Sequence, residues 1–159
     1  MSSLPISPMT EKHIEPVLAI ERASFPSPWG KLAFLSELSH GCSRNYVLSA
    51  PGPAAKDGII AYTCLRIILD ELHLMKIAVA PARRGCGIAY RFLKECMDQR
   101  THGKISAAFL EVRPSNTAGR RLYEKLGFEP VGKRPGYYPE SGEAAIIMKK
   151  NFQRRKLWQ

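Results

Sequence analysis

Two glycines constrain the fold of this chain more than any other feature. Gly85 and Gly87 separate an apolar run of β-formers, Leu72–Val79, from an amphipathic run, Ile88–Gln99. The order of signals is strand, tight turn, helix, with the turn spanning Pro81–Gly87. A helix start exposes unpaired N–H groups and a partial positive charge. Glycines let such a backbone approach an anion closely, and Arg83 and Arg84 add charge. The turn therefore reads either as a phosphate or pyrophosphate cradle or as a plain strand-to-helix turn with solvated arginines. It is not a P-loop, because no G-K-[ST] follows, and it is not a G-x-G-x-x-G.

The surrounding runs place this unit in a mixed domain. Thr10 to Phe25 reads as a helix, with Ile14, Val17, Leu18 and Glu21 spaced for two faces and Pro16 in its first turns. Phe25-Pro26-Ser27-Pro28-Trp29 ends it, and a short amphipathic stretch with Phe34, Leu35 and Leu38 follows. Asn45–Ala50 and Gly58–Leu69 read as strands around a turn at Pro51–Gly58. Asp70 marks a second turn, and Glu71–Ala80 reads as the hairpin partner. Ala107–Val112 reads as a strand and Ser115 to Leu126 as a helix, with Ser115 as its N-cap and Gly127 as its stop. Phe128–Lys133 and Ala144–Lys149 read as the last strands. Hairpins followed by strands interleaved with helices predict an α/β fold with a mixed sheet, in one domain over residues 1–150.

Composition narrows the function classes. A chain of 159 residues can bury a core without metals or disulfides. No window approaches the roughly 18 uncharged apolar residues of a membrane span. Met1–Thr10 lacks a basic start and an apolar stretch, so no secretory signal is expected. Cys42, Cys64, Cys86 and Cys96 form no C-x-x-C pair and no zinc spacing, which predicts reduced thiols, no metal and a cytoplasmic location. Lysine and arginine number 24 against 14 acids, a net charge of +10. Lys149, Lys150, Arg154, Arg155 and Lys156 carry much of the excess. Residues 151–159 are expected to be a basic tail, either solvated or in transient contact with RNA on the ribosome.

A second constellation lies downstream: Leu110-Glu111-Val112-Arg113-Pro114-Ser115-Asn116, then Leu122-Tyr123-Glu124-Lys125-Leu126-Gly127-Phe128. Asn116 and Tyr123 are two helical turns apart and share a face, while Leu122 and Leu126 suit the core. A carboxylate and a phenol at one sheet edge can accept and donate protons, or they can be a solvated strand-end Glu and an edge-of-core Tyr.

Together these pieces resemble the GNAT family of acetyl-coenzyme A-dependent N-acetyltransferases. Arg84-x-x-Gly87-x-Ala89 looks like that family's pyrophosphate motif, and Ile77-Ala78-Val79-x-Pro81 looks like its central splayed strand. The run from Asn116 to Phe128 is similar to its second signature. Within the family, Leu110–Asn116, Tyr137-Tyr138-Pro139, Glu143–Met148 and Ile20-Glu21 with Phe25–Trp29 resemble the RimI type, which acetylates the terminal alanine of a ribosomal protein. The resemblance covers roughly Ile6–Met148.

The resemblance implies a twisted, mostly antiparallel sheet flanked by helices and splayed between its fourth and fifth strands. It implies acetyl-coenzyme A as co-substrate, its pantetheine arm on the backbone of Ile77, Ala78 and Val79. The pyrophosphate is implied on the amides of Gly85, Cys86, Gly87, Ile88, Ala89 and Tyr90, with Arg84 close by and Asn116 touching the coenzyme. Glu111 is implied as general base and Tyr123 as general acid, with no acetyl-cysteine intermediate at Cys86 or Cys64. Trp29, Tyr137 and Tyr138 are expected to line the acceptor site, and His73 is a lesser candidate for proton transfer. The acceptor implied is a protein N-terminus, starting with Ala, of a small-subunit ribosomal protein. A small amine or a lysine acted on by a related enzyme, and a basic RNA-binding module without chemistry, are the alternatives.

Overall fold

The computed structural model describes residues 4–50, 58–99 and 104–152. Among the described residues seven strands form one sheet: β1 (Ile6–Pro8), β2 (Ser43–Ser49), β3 (Ile59–Ile68), β4 (Glu71–Val79), β5 (Ala107–Val112), β6 (Glu129–Arg134) and β7 (Ala145–Asn151). Their spatial order is β1-β2-β3-β4-β5-β7-β6. Every neighbouring pair is antiparallel except β4 and β5, which run parallel. The helices are α1 (Ile14–Ser24), α2 (Lys31–Ser39), α3 (Ile88–Gln99) and α4 (Thr117–Lys125).

The sheet is covered on both faces. Side chains alternate across a strand, so β2 sends Tyr46 and Leu48 to one face and Val47 to the other. On the first face they meet Phe92, Leu93, Cys96 and Met97 of α3 and Leu126 and Phe128 at the end of α4. On the second, Val47, Ile59 and Tyr62 pack against Ile14, Val17 and Leu18 of α1 and Phe34 of α2. This double cover explains why Ile59–Leu65 is a continuous buried run rather than an alternating one.

The β4–β5 pairing fixes the site. Its ladder holds only Glu71–His73 against Ala107–Phe109. Beyond His73 and Phe109 the two strands separate, which is the splay implied by the resemblance. The root of the opening is tied by Ser106, whose backbone N–H donates to the Asp70 carbonyl at 2.8 Å and whose hydroxyl donates to the Asp70 carboxylate at 2.6 Å.

Three local details differ from the sequence reading. β1 is a short edge strand that Pro5 and Pro8 hide, since proline is tolerated at an edge but lowers strand signal. The N-cap of α4 is Asn116, not Ser115: its Oδ1 accepts from the Gly119 N–H at 2.9 Å. Ser115 is engaged elsewhere, its hydroxyl donating to Glu143 at 2.8 Å. Lys149 and Lys150 belong to β7 rather than to a solvated tail, resting over the rings of Phe109 and Phe152 at 5.4 and 5.1 Å. The expected turn at residues 51–57 and the basic residues Arg154, Arg155 and Lys156 lie outside the described residues. Among the described residues, no helix is long and apolar enough to cross a membrane.

Candidate active site

The splay opens a cleft of about 1070 Å³ between β4 and β5. Its walls come from the α1–α2 connection, the start of α4 and the β6–β7 connection. Of the residues picked from sequence, Glu111, Tyr123, Asn116, Trp29, Tyr137, Tyr138, His73 and Ile77 all line it.

Glu111 stands near the end of β5, opposite Ile147 of β7. Arg134 of β6 donates to its carboxylate at 2.6 Å. Tyr137 also hydrogen-bonds to that carboxylate; this contact, with burial added, pushes the Tyr137 hydroxyl up to about 12. Tyr123 is only 8% exposed, edge-on to Phe128 at 6.1 Å. Burial is the main cause that raises its pKa, and Tyr138 adds to it, so the phenol holds its proton throughout the neutral range. A buried, protonated phenol can donate a proton, and a carboxylate lining the same cleft can accept one.

The β6–β7 connection is held down over this pair by stacked cations. Tyr137 and Tyr138 meet edge to face at 4.9 Å. The Arg134 guanidinium lies 4.7 Å from the Tyr137 ring, and that of Arg113 lies 3.9 Å from the Tyr138 ring. Arg113 is itself fixed by Glu140 and by Ser141 at 3.2 Å. Glu143 accepts from both the hydroxyl and the N–H of Ser115. His73 contacts Glu71 at 3.2 Å and stacks on Phe109 at 5.5 Å, where the paired part of the ladder ends.

The glycine turn is at the C-terminal end of β4. Gly85 and Gly87 have φ of +79° and +74°, a region that favours glycine, and a Cβ at either would meet nothing within 4 Å. The first hydrogen bond of α3 runs from the Arg91 N–H to the Gly87 carbonyl at 3.2 Å. The amides of Ile88, Ala89 and Tyr90 therefore have no acceptor within the helix. Cys86 is exposed on the turn. Arg84 braces the turn: its Nε donates to the Val79 carbonyl at 3.0 Å and its Nη2 to the Ser24 hydroxyl at 2.9 Å. Lys125 of α4 sits 4.5 Å from the Tyr90 ring and links the two helices beside the turn.

Sequence reasoning missed two partners that the fold brings to the cleft. Arg134, on an edge strand, reaches Glu111 across β7. Lys76 of β4 pairs with Glu21 of α1, which is 0% exposed. Their sequence signals were an ionisable group inside each of two apolar runs, but nothing in the sequence joins positions 55 residues apart.

In sequence and fold the chain resembles known proteins. The E. coli ribosomal protein bS18-alanine N-acetyltransferase is 34% identical over 131 residues, covering 81% of this chain and 84% of that protein. The Haemophilus ducreyi protein of the same name is 33% identical over 147 residues, covering 90% and 97%. The crystal structure of the ribosomal-protein-S18-alanine N-acetyltransferase from E. coli superposes with a TM-score of 0.84 at 29% identity, covering 99% of both chains. The sequence pattern of the acetyltransferase (GNAT) family matches residues 14–128. With that match over most of the chain and the splayed sheet behind it, the protein belongs to the GNAT acetyltransferase family.

Proposed function

We propose that this enzyme transfers the acetyl group of acetyl-coenzyme A to the α-amine of a protein N-terminus, an alanine of a ribosomal protein such as bS18. Acetyl-coenzyme A is the co-substrate of the family. The acceptor is read from relatives that match over most of both chains. One observation carries the chemistry: Glu111 and Tyr123 line the same cleft at the splay.

The residues fit the coenzyme. One edge of β4 pairs with β3, while past His73 its other edge faces the opening, so Ile77, Ala78 and Val79 can offer backbone groups to the pantetheine amides. The amides of Gly85 to Tyr90 fit a pyrophosphate at the start of α3. Arg84 holds that turn in shape, and Asn116 at the start of α4 flanks the cleft.

In the reaction the terminal amine attacks the thioester carbonyl carbon, and a C–N bond forms. Glu111 takes a proton from the amine, directly or through a water. The C–S bond then breaks, and the departing thiolate takes the proton of the Tyr123 hydroxyl. Trp29, Tyr137 and Tyr138 form the walls against which the peptide lies. Such a reaction belongs in the cytoplasm, where ribosomal proteins are made. There the basic residues Arg154, Arg155 and Lys156 fit transient contact with the phosphates of ribosomal RNA.

Comparing acceptors tests this reading. Thiol release is expected to give a kcat/KM at least about a hundredfold higher for an alanine-first peptide than for free lysine or a polyamine, because only the peptide uses the cleft walls. A polyamine matching the peptide would contradict it. The turn is tested separately. Gly87→Val forces a β-branched residue to positive φ, a backbone cost of about 1–2 kcal/mol, and puts bulk where the pyrophosphate approaches. Calorimetry is expected to show the Kd for acetyl-coenzyme A raised at least about tenfold. An unchanged Kd would remove the turn from coenzyme binding.

A further inference from the structure

The buried end of the cleft holds a charge pair that the reaction does not use. Glu21 of α1 accepts from the Tyr62 hydroxyl, from the Lys76 ammonium and from the Trp29 N–H at 2.9 Å. Lys76 is 11% exposed. Its ammonium lies 4.1 Å from the centre of the Phe25 ring and 4.7 Å from that of Trp29. Phe25 and Trp29 bracket the α1–α2 connection, and both line the cleft with Lys76. Trp29 is backed in turn by Phe34 of α2, edge-on at 5.3 Å. One cation thus joins the strand beside the splay to the loop that walls it.

We propose that Lys76 is a positioning residue, which through Glu21 and the Phe25–Trp29 sandwich holds the α1–α2 connection as the acceptor wall of the cleft. The inference rests on the reading that the peptide enters along this wall. Its physical basis is that a buried ion pair is weak evidence for stability, since apolar residues of like volume often serve as well. What the pair supplies here is geometry. A cation between two rings, tied to a carboxylate that also holds the Trp29 backbone, leaves the loop one position.

The test must avoid a stranded charge, because Lys76→Met alone leaves Glu21 buried without its cation. The double variant Glu21→Gln/Lys76→Met removes both charges. It is expected to fold and to raise the KM for an alanine-first peptide about tenfold, with kcat and the KM for acetyl-coenzyme A within about twofold of the parent. The chain has 2 tryptophans, so a Trp158→Phe background leaves Trp29 as the sole reporter. Acrylamide quenching of Trp29 is expected to increase in the double variant. Lys76→Arg, which keeps charge and stacking, is expected to restore low quenching and low peptide KM. A folded double variant with unchanged peptide KM and unchanged quenching overturns the proposal. If the parent does not acetylate the peptide, the functional reading fails, and quenching alone decides: unchanged quenching overturns the positioning role and increased quenching supports it.

Discussion

Tyr123→Phe is expected to lower kcat by about 10²–10⁴, the range for loss of one general acid. The Kd for acetyl-coenzyme A is expected to stay within about twofold, because in the proposed mechanism the hydroxyl acts on the leaving sulfur only in the transition state. The substitution is nearly neutral to the fold. It keeps the ring that packs edge-on against Phe128, and among the described residues the hydroxyl makes no side-chain hydrogen bond. Rapid-quench measurement of transfer with saturating coenzyme reads the step directly. Turnover equal to the parent would take Tyr123 out of the mechanism.

Glu21→Ala is expected to destabilise the fold by about 3–5 kcal/mol, the range for breaking a buried pair and leaving the other charge uncompensated. Three donors lose their acceptor at once: the Tyr62 hydroxyl, the Lys76 ammonium and the Trp29 N–H. Glu37→Ala is the comparison. Glu37 is also buried and binds Arg66 and Ser43, but the Arg66 side chain is 30% exposed and can turn to water. Its loss is expected to be smaller. Urea unfolding of both variants checks the order, and equal or reversed losses would contradict it.

Much of the frame was legible because the signals were local. Leu72–Val79, the two glycines and Ile88–Gln99 predicted strand, turn and helix, and β4, the turn and α3 follow in that order. Gly127 stops α4 with a φ of +97°, as a C-terminal glycine should. The splay came from the family resemblance rather than from periodicity, since the pairing of β4 with β5 is a long-range choice. Local competition hid smaller features. Ser115 and Asn116 are both good caps, and the choice falls to Asn116 only because Glu143, from a distant segment, takes the Ser115 hydroxyl. Arg84 matches the pyrophosphate motif by its place in the sequence, but the contacts of its Nε with Val79 and of its Nη2 with Ser24 on α1 were not legible there. Glu21 was legible only as one position of the first helix's pattern, and Lys76 lay unremarked inside the Leu72–Val79 run. Their meaning emerged only when β3 and β4 packed α1 against the sheet.

The reaction proposed for this enzyme is direct transfer to a terminal amine in the β4–β5 cleft. Mass spectrometry of two peptides incubated with enzyme and acetyl-coenzyme A tests it most directly. One begins with a free alanine and mimics a ribosomal-protein N-terminus; the other has that amine blocked and keeps its lysines. One acetyl group on the free terminal amine, and none on the blocked peptide, is the predicted result. Acetylation of lysines in the blocked peptide, or of neither peptide while coenzyme binding is intact, would contradict it.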